Sequence, residues 1–164
     1  MRGQKELYEL LDRMAIKYEY HEHPAVATIE DARVHWKEYK AGKCKNIFFR
    51  NHKGDRHYLV ILEHLQKLDI KDLEKRLRQG KLTFASDQRL NKYLGLEPGS
   101  VSPFGLINDS EKHVYLFMDE KLMKSDHLVF HPNINTASLI ISKSDFLKFL
   151  GHTGNAYEFI RLPG

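Results

Sequence analysis

Apolar residues recur at helical spacing in five stretches of the chain, and four of these stretches begin with a helix-capping residue type or end near glycine. The pattern predicts helices over residues 6–16, 28–40, 69–78, 86–95 and 142–151. The first helix presents Leu7, Leu10 and Leu11 on one face, so we expect it to pack on a sheet. Gly42 is expected to close the second helix and Gly151 the last.

Runs of alternating or continuous apolar residues predict strands between these helices. Residues 45–50 and 56–62 are two such runs joined by a turn that contains Gly54, which is typical of a β-hairpin. Further strands are predicted at residues 18–23, 82–85, 114–118, 127–130 and 137–141, with an edge strand at 157–160 and a short polar helix at 120–124. Helices interleaved with about seven strands indicate a mixed α/β domain. The hairpin argues against a purely parallel sheet.

The segment 95–109 has the composition of a rigid loop. Its first eleven residues hold three glycines and two prolines, which are Gly95, Gly99, Gly105, Pro98 and Pro103. Glycine permits a positive φ or the close approach of a ligand, and proline fixes φ and removes a donor. We therefore interpret the segment as a loop whose amides point at a ligand. The alternative is a plain connection from a helix end at Gly95 to a strand at residue 104.

Composition and charge narrow the class of protein. The 164 residues are 41% hydrophobic and 11% aromatic, which is ordinary for one globular domain. No stretch approaches the length of a membrane span and the N-terminus does not resemble a signal peptide, so we expect a cytoplasmic protein with no membrane partner. Cys44 is the only cysteine, which excludes an intramolecular disulfide and a cysteine-based zinc site. The net charge of +4 is compatible with a partner that carries phosphates.

Lys45 is the first candidate for chemistry. In a strand of period two it shares a face with Ile47 and Phe49, so its ammonium group is expected to point toward apolar surroundings. Lysine is almost never fully buried without a partner. The alternative is that Lys45 lies at the start of the strand and extends its charge to water.

His131 is the second candidate. It precedes Pro132 and the polar residues Asn133, Asn135 and Thr136 between two predicted strands. Loop residues that a rigid scaffold positions often carry function. The alternative is a hydrogen-bonded turn built from asparagine and proline.

Metal binding and thiol chemistry have weaker support. His21 and His23 lie two apart on one strand face, but no zinc motif of histidines or cysteines is present. Cys44 has no activating base that the sequence can demonstrate. A separate basic stripe is formed by Lys71, Lys75 and Arg78 at helical spacing, and it either contacts RNA or is a solvated helix face.

Five motifs then occur in one order along the chain, at residues 23–32, 45–50, 82–85, 95–109 and 131–136. They include the runs His-Pro-Ala-Val-Ala-Thr, Lys-Asn-Ile-Phe-Phe, Gly-Ser-Val-Ser-Pro and His-Pro-Asn-Ile-Asn-Thr. Together they resemble the YbaK/ProX family of aminoacyl-tRNA editing domains, and in particular its prolyl-tRNA editing branch. Two positions depart from the family pattern, with Cys44 where threonine is common and Ala27 where phenylalanine is common. The second departure bears on the shape of the substrate pocket.

The resemblance implies a YbaK-like α/β fold in which a single domain over residues 1–164 holds a mixed, curved and partly barrel-like sheet of about six to seven strands flanked by helices. It also implies a hydrolase that cleaves the ester between a wrongly attached amino acid and tRNA, with alanyl-tRNA(Pro) as the expected substrate. Water would attack the ester with help from a neighbouring ribose hydroxyl. The family resemblance implies neither a cofactor nor a metal.

The resemblance also assigns residues. Catalysis would depend on Lys45, Gly99, Ser100, Val101, Ser102 and Pro103. Substrate binding would involve Asn46, Phe104, Gly105, His131, Asn135 and Thr136. His131 would set amino-acid specificity, and Lys45 would either anchor the terminal nucleotide or stabilise developing negative charge.

The expected partners are the acceptor end of mischarged tRNA(Pro) and, in addition, prolyl-tRNA synthetase or an elongation factor. Three alternatives stay open on the sequence. The domain is a non-catalytic tRNA-binding or regulatory module of the same fold, a deacylase for serine or cysteine on tRNA, or a metal-dependent hydrolase of another small ester.

Overall fold

The computed structural model describes residues 1–25 and 41–162. Its α-helices are α1 (Lys5–Arg13), α2 (Ile70–Leu77), α3 (Asp87–Leu94) and α4 (Lys143–Thr153), and 3-10 helices cover Pro103–Asn108 and Glu120–Lys124. Its strands are β1 (Tyr18–Glu22), β2 (Gly42–Arg50), β3 (His57–Glu63), β4 (Thr83–Phe84), β5 (Tyr115–Asp119), β6 (His127–Phe130), β7 (Ala137–Ser142) and β8 (Tyr157–Ile160).

Side-chain caps begin three of the helices at the residues that the sequence predicted. Asp69, Ser86 and Ser142 each accept a hydrogen bond from the backbone amide three residues later, at 3.0–3.2 Å. Such a cap satisfies an amide that has no partner within the helix and stabilises it by about 1 kcal/mol. The start points of α2, α3 and α4 are therefore set locally.

The sheet is mixed and open. Seven strands follow the order β1-β7-β6-β2-β3-β5-β8, and the two-residue β4 pairs with β2 outside this path. The predicted β2–β3 hairpin is antiparallel, whereas β2–β6, β3–β5 and β5–β8 are parallel pairs. The prediction of a mixed α/β sheet flanked by helices is confirmed. Because β1 and β8 lie at opposite ends of the order, the described sheet does not close into a barrel.

Alternating side chains divide the core between two faces of the sheet. On β3, Leu59 and Ile61 belong to a large apolar cluster that includes residues of α1, α3 and α4. Val60 and Leu62 belong to a smaller cluster that includes Leu73 of α2. We call these the first face and the second face of the sheet. Three helices therefore cover the first face, and α2 packs on the second.

Two predicted helix ends are wrong. Gly42 opens β2 instead of closing a helix, because its backbone pairs with Leu128 of β6. A Cβ atom on Gly42 would lie 2.8 Å from Ser125 Oγ, so glycine is needed for this close approach. Helix α4 continues past Gly151 and ends at Gly154, whose φ of 75° is the left-handed conformation that terminates helices.

The plain connection to a strand at residue 104 is also wrong. Phe104 lies in a 3-10 helix that begins at Pro103, whose fixed φ suits the first position of a helical turn. The helix predicted for residues 28–40 and the departure at Ala27 lie outside the described residues. Within residues 1–25 and 41–162, no helix is both long enough and apolar enough to cross a membrane.

A buried polar network fixes where β5 begins. The Asp109 carboxylate accepts hydrogen bonds from the backbone amides of His113 (3.1 Å) and Val114 (2.8 Å) and from Asn155 Nδ2 (2.8 Å). Asn155 Nδ2 also donates to the Val114 carbonyl at 2.8 Å. Asp109 and Asn155 are both buried. Buried donors that lose their acceptor pay a full desolvation penalty, so the network depends on one carboxylate.

We predict that Asp109→Ala lowers the free energy of unfolding by about 2–4 kcal/mol, because three donors lose their acceptor together. Urea denaturation followed by circular dichroism measures this change. Glu111→Ala is the matched control, since Glu111 is an exposed carboxylate two residues away, and it should change stability by less than about 0.5 kcal/mol. Equal effects of the two substitutions would contradict the assignment.

Candidate functional site

The candidate site lies where β2 changes its hydrogen-bonding partner. Along one edge, β2 pairs with β3 from Cys44 to Arg50. Along the other edge, Gly42 and Lys43 pair with β6, whereas Phe49 and Arg50 pair with β4. No described strand pairs with residues 44–47 on that edge. We call residues 44–47 the β2 gap, which lies between the part of β2 paired with β6 and the part paired with β4.

Lys45 occupies the middle of the β2 gap. The side chains of Ile47 and Phe49 point to the same side of β2 as Lys45, and both belong to the cluster on the second face. The prediction that Lys45 shares a face with these two residues is therefore confirmed. The side chain is half-buried, which allows its charge to be directed into a site while its stem packs on apolar residues.

Asn46 has the opposite parity and lies on the first face with Cys44 and Phe48. Its Oδ1 atom is buried and has no hydrogen-bond partner among the described residues. Buried polar atoms are normally paired, so this oxygen is an acceptor available to a donor that the chain itself does not supply.

The loop after α3 is held by its own hydrogen bonds. Ser102 accepts from the Phe104 amide through Oγ (3.1 Å) and from the Gly105 amide through its carbonyl (3.1 Å). The Ser100 amide donates to the Glu97 carbonyl at 3.1 Å. Gly99 has a φ of 83°, which glycine adopts without strain. The loop is rigid, as the sequence predicted.

The same hydrogen bonds show which loop amides remain. The amides of Ser100, Phe104 and Gly105 are committed within the loop. The amides of Gly99, Val101 and Ser102 donate no hydrogen bond to the described part of the chain. These three amides are therefore the backbone donors that the loop could offer to a ligand.

Phe104 fixes the loop to the core of the first face. It is fully buried and packs edge-to-face against Phe130 (5.8 Å between ring centroids) and Phe149 (5.2 Å). Such aromatic pairs add about 0.5–1.5 kcal/mol to their area burial. Phe104 therefore acts as a structural anchor for the loop rather than as a surface that faces a substrate.

His131 begins the turn that follows β6. Leu128 and Val129 pair with Gly42 and Lys43 in parallel. His131 follows Val129 by two residues, just past the end of β6, and Lys45 follows Lys43 by two residues within β2. Lys45 alternates with Cys44 and Asn46 along β2, so its side chain lies on the second face with Ile47 and Phe49. Lys45 and His131 are 86 positions apart in sequence, and each lies two residues beyond the pair of Lys43 and Val129 that joins β2 to β6.

A side-chain network joins this turn to the loop and to the N-terminus. Asn133 Nδ2 donates to the Phe104 carbonyl (3.3 Å) and to Gln4 Oε1 (2.9 Å). Gln4 in turn exchanges hydrogen bonds with the Asn108 amide group at 2.7 and 3.0 Å. The buried Thr136 Oγ1 has no partner among the described residues. The turn and the loop are therefore held in fixed relative positions.

His23 is a neighbour of His131. Its ring lies 6.1 Å from that of His131, and its Nε2 atom is 2.8 Å from Ser138 Oγ. The sequence suggested His23 as a weak metal-ligand candidate and as the first residue of the motif 23–32, and it gave Ser138 no role. A polar residue inside the apolar run 137–141 was the available signal. The residues that the structure describes contain no cluster of three or more metal-ligand side chains.

Burial controls the charge of His131. It lowers the pKa of the imidazole from 6.5, and the neighbouring His23 acts in the same direction, against the hydrogen bond to Ala137. His131 Nδ1 lies 2.9 Å from the Ala137 carbonyl, which only accepts, so Nδ1 carries the proton. In the neutral ring, Nε2 is then an acceptor. His131 presents a neutral and compact wall to the site at pH 7.

Two other candidates behave differently. Burial raises the pKa of the Cys44 thiol, so the reactive thiolate is strongly disfavoured.

Lys71 and Lys75 are exposed on α2, as predicted, but α2 ends at Leu77. Arg78 follows in a left-handed conformation with a φ of 53°, so the three basic residues do not form one continuous helical stripe.

The sequence matches a known family over most of its length. The family described as "Aminoacyl-tRNA editing domain" matches residues 23–149. Prolyl-tRNA editing protein ProX of Acetoanaerobium sticklandii is 40% identical over 152 residues, which cover 93% of each chain. Prolyl-tRNA synthetase associated domain-containing protein 1 of Mus musculus is 32% identical over 154 residues, which cover 92% of this chain and 90% of the relative.

A solved structure shares the fold. The protein, described as a candidate trans-editing enzyme for prolyl tRNA synthetase, superposes with a TM-score of 0.70 and covers 99% of both chains. The identity between the two sequences is 19%, so this likeness concerns the fold alone. The matched region 23–149 of the sequence contains all five motifs, the β2 gap and the turn after β6.

We predict that the His131 imidazole titrates below 6.5 in the folded protein. Between the folded pKa and 6.5 the unfolded chain binds a proton that the folded chain does not, so this residue lowers stability as the pH falls through that window. NMR titration of the ring carbons measures the pKa, with the urea-unfolded protein as control. Titration at or above 6.5 in the folded state would contradict the burial of His131.

Proposed function

The chain belongs to the aminoacyl-tRNA editing domain family, and from that premise we propose that it is a trans-editing hydrolase that removes alanine wrongly attached to tRNA(Pro). The observation that supports the proposal is the hydrogen bond from Asn133 Nδ2 to the Phe104 carbonyl (3.3 Å), which joins the turn of His131 to the loop, while the half-buried Lys45 lies in the strand paired with β6. A non-catalytic module would not require this combination. The names of its relatives favour prolyl-tRNA editing over the alternative functions.

The need for such an enzyme follows from the size of the substrates. A synthetase pocket shaped for proline rejects a smaller amino acid weakly, because each missing methylene is worth only about 1–3 kcal/mol. A second site that admits only the smaller residue restores accuracy. Alanine fits this requirement because it is smaller than proline and its single methyl group fits a pocket from which proline is excluded.

The proposed reaction is hydrolysis of the aminoacyl ester. A water oxygen attacks the carbonyl carbon and gives up its proton, with the adjacent ribose hydroxyl as its guide. The carbonyl oxygen takes negative charge as the tetrahedral intermediate forms. The bond between the carbon and the ribose oxygen then breaks, the ribose oxygen takes a proton, and alanine and tRNA(Pro) leave. No bond to the protein forms, which agrees with the buried and protonated state of the Cys44 thiol.

The loop supplies the donors that this charge requires. We assign the uncommitted amides of Gly99, Val101 and Ser102 to the oxyanion, because fixed donors aimed at developing charge lower the barrier without reorganising. Ser100 and Pro103 hold the loop, through the Glu97 hydrogen bond and the start of the 3-10 helix. Gly105 also holds the loop, because its backbone amide donates a hydrogen bond to the Ser102 carbonyl.

Lys45 and Asn46 are assigned to the substrate from opposite faces of β2. The Lys45 ammonium either pairs with the phosphate of the terminal nucleotide or stabilises the oxyanion, and both roles need a positive charge in a partly dehydrated place. The buried Asn46 Oδ1 is assigned as an acceptor for a substrate hydroxyl or ammonium group. Thr136 Oγ1 has the same character, and Asn135 lies beside it in the turn.

We assign the tRNA contacts outside the pocket to Lys71, Lys75 and Arg78. These side chains are exposed, and α2 packs on the face of the sheet that carries Lys45. Contacts with phosphates of the acceptor stem would make binding depend on salt, since each contact releases counterions. We further propose prolyl-tRNA synthetase or an elongation factor as the protein that delivers the mischarged tRNA.

We predict that the purified protein hydrolyses alanyl-tRNA(Pro) and that Lys45→Ala lowers kcat/KM by about a hundredfold, the typical effect of removing one group that stabilises the oxyanion. Release of labelled alanine measures the rate. Lys53→Ala is the matched control, because Lys53 is an exposed lysine in the hairpin turn, and it should leave the rate unchanged.

A chelator separates this mechanism from metal-dependent ester hydrolysis, and the expected rate is the same with and without it. Loss of activity on chelation followed by recovery with zinc would overturn the metal-free mechanism. Wild-type activity in a folded Lys45→Ala protein would remove Lys45 from the mechanism.

We predict that His131→Ala admits prolyl-tRNA(Pro) to the site. Proline differs from alanine mainly by added carbon, so the site must exclude it by steric overlap rather than through a polar contact. The ratio of prolyl-tRNA to alanyl-tRNA deacylation should rise about tenfold or more, while alanyl-tRNA hydrolysis is partly kept. An unchanged ratio, or the loss of both activities together, would assign His131 a catalytic or structural role instead.

A further inference from the structure

Phe84 in β4 is a large aromatic side chain that the core does not absorb. It is 63% exposed, although it lies in a strand at the edge of the β2 gap. Most large apolar side chains near it are buried, including Phe49 at 0% exposure. Packing in the core therefore does not explain this aromatic residue, whose position at the border of the candidate site suggests a role in binding.

The ring is held flat against the protein. Its centroid lies 5.2 Å from that of Phe49, with 19° between the two planes. Phe49 and Phe84 are Cα partners in the β2–β4 pair, so backbone hydrogen bonds also fix their relative position. One face of the Phe84 ring is therefore occupied by Phe49, and the opposite face is presented in a fixed orientation.

Phe84 lies on the same side of the sheet as Lys45. Because Phe49 and Phe84 are directly paired, their side chains share the second face, which also carries Lys45. Lys45 and Phe49 are four positions apart on β2, which is about 13 Å in a strand. The ring is thus close enough to the ester site for the few unpaired nucleotides at the 3′ end of a tRNA to reach both.

The charge around Phe84 fits nucleic acid. Arg78 and Lys81 are exposed in the segment that leads into β4. Interfaces between proteins are depleted of lysine at their centres and require an extended buried patch. A single exposed ring flanked by cations has instead the composition of single-stranded nucleic acid sites, in which bases stack on aromatic side chains along a basic groove.

We propose that Phe84 is the stacking platform for an unpaired base at the 3′ end of the tRNA, an assignment that rests on the proposed function because it takes the ester to lie beside Lys45. Phe49 supports the platform from below and Phe84 receives the base from above. The contact is independent of base identity, because every base has a π face. It fixes the strand that leads to the ester and leaves the reacting atoms to the loop.

Binding of uncharged tRNA(Pro) tests the proposal without requiring hydrolysis. Fluorescence anisotropy gives Kd for intact tRNA(Pro) and for the same tRNA with its three 3′-terminal nucleotides removed. Wild-type protein should prefer the intact molecule, and Phe84→Ala should weaken binding of the intact tRNA by about 5- to 100-fold while leaving the truncated tRNA unaffected. Leu65→Ala is the matched control, because Leu65 is also 63% exposed, and it should change neither Kd.

Two further substitutions separate stacking from general apolar contact. Phe84→Trp keeps an aromatic face and should retain the preference for intact tRNA, whereas Phe84→Leu keeps an apolar surface without a π face and should lose it. An equal preference of the Leu variant and of the wild type for intact tRNA would overturn the proposal, because an apolar side chain without a π face would then be sufficient. Thermal denaturation checks that each variant is folded. If Phe84→Ala is unfolded, the comparison of the Trp and Leu variants in their preference for intact tRNA tests the proposal.

Salt dependence provides a second readout. A stacked base releases no phosphate counterions, so Phe84→Ala should keep the wild-type slope of log Kd against log salt. The double substitution of Lys71 and Lys75 by alanine should flatten that slope while keeping the preference for the intact 3′ end. A flattened slope in Phe84→Ala would overturn the stacking assignment. Deacylation of alanyl-tRNA(Pro) by the wild type is measured separately, so that failure of the proposed function is distinguished from failure of this inference.

Discussion

The change of partner along β2 is the constraint on which the site depends. A strand edge must satisfy its backbone groups, and β2 does so with β6 at one end and with β4 at the other. Within the part of the chain that the structure describes, neither strand pairs with residues 44–47 on that edge. Loop amides, polar side chains and a ligand can approach β2 only at such an interruption. The hairpin with β3 on the opposite edge keeps this interrupted strand straight and ordered.

The two faces of β2 carry side chains of different chemical character. Lys45 carries charge on the second face, whereas Cys44 and Asn46 face the large core of the first. A shift of register by one residue would bury the ammonium group in that core and expose the thiol. The pairing of seven consecutive residues with β3 prevents such a slip. The same pairing that stabilises the sheet therefore selects which side chains meet the substrate.

Sequence reasoning succeeded where the cause is local. Alternation along one strand placed Lys45 with Ile47 and Phe49, and the caps at Asp69, Ser86 and Ser142 began helices where expected. The sequence did not predict the contacts that join segments far apart along the chain.

The contact of β2 with β6 joins residues more than 80 positions apart, and the bond between His23 and Ser138 spans 115. The sequence offered two glycines for the left-handed residue that ends α4, and the structure has Gly154 in that conformation.

The smallness of alanine explains why so much of the proposed machinery lies outside the amino-acid pocket. A buried methyl group is worth only about 0.8 kcal/mol, and even ideal small ligands gain at most about 1.5 kcal/mol per non-hydrogen atom. The pocket can therefore exclude proline, but it cannot hold alanyl-tRNA by attraction to alanine. Affinity must come from the nucleotides, and binding energy from these remote parts can position the ester for attack. In the proposed mechanism, a stacking ring and exposed lysines on the face that carries Lys45 would supply that energy without enlarging the pocket, so that selection by size and attachment to tRNA are separate.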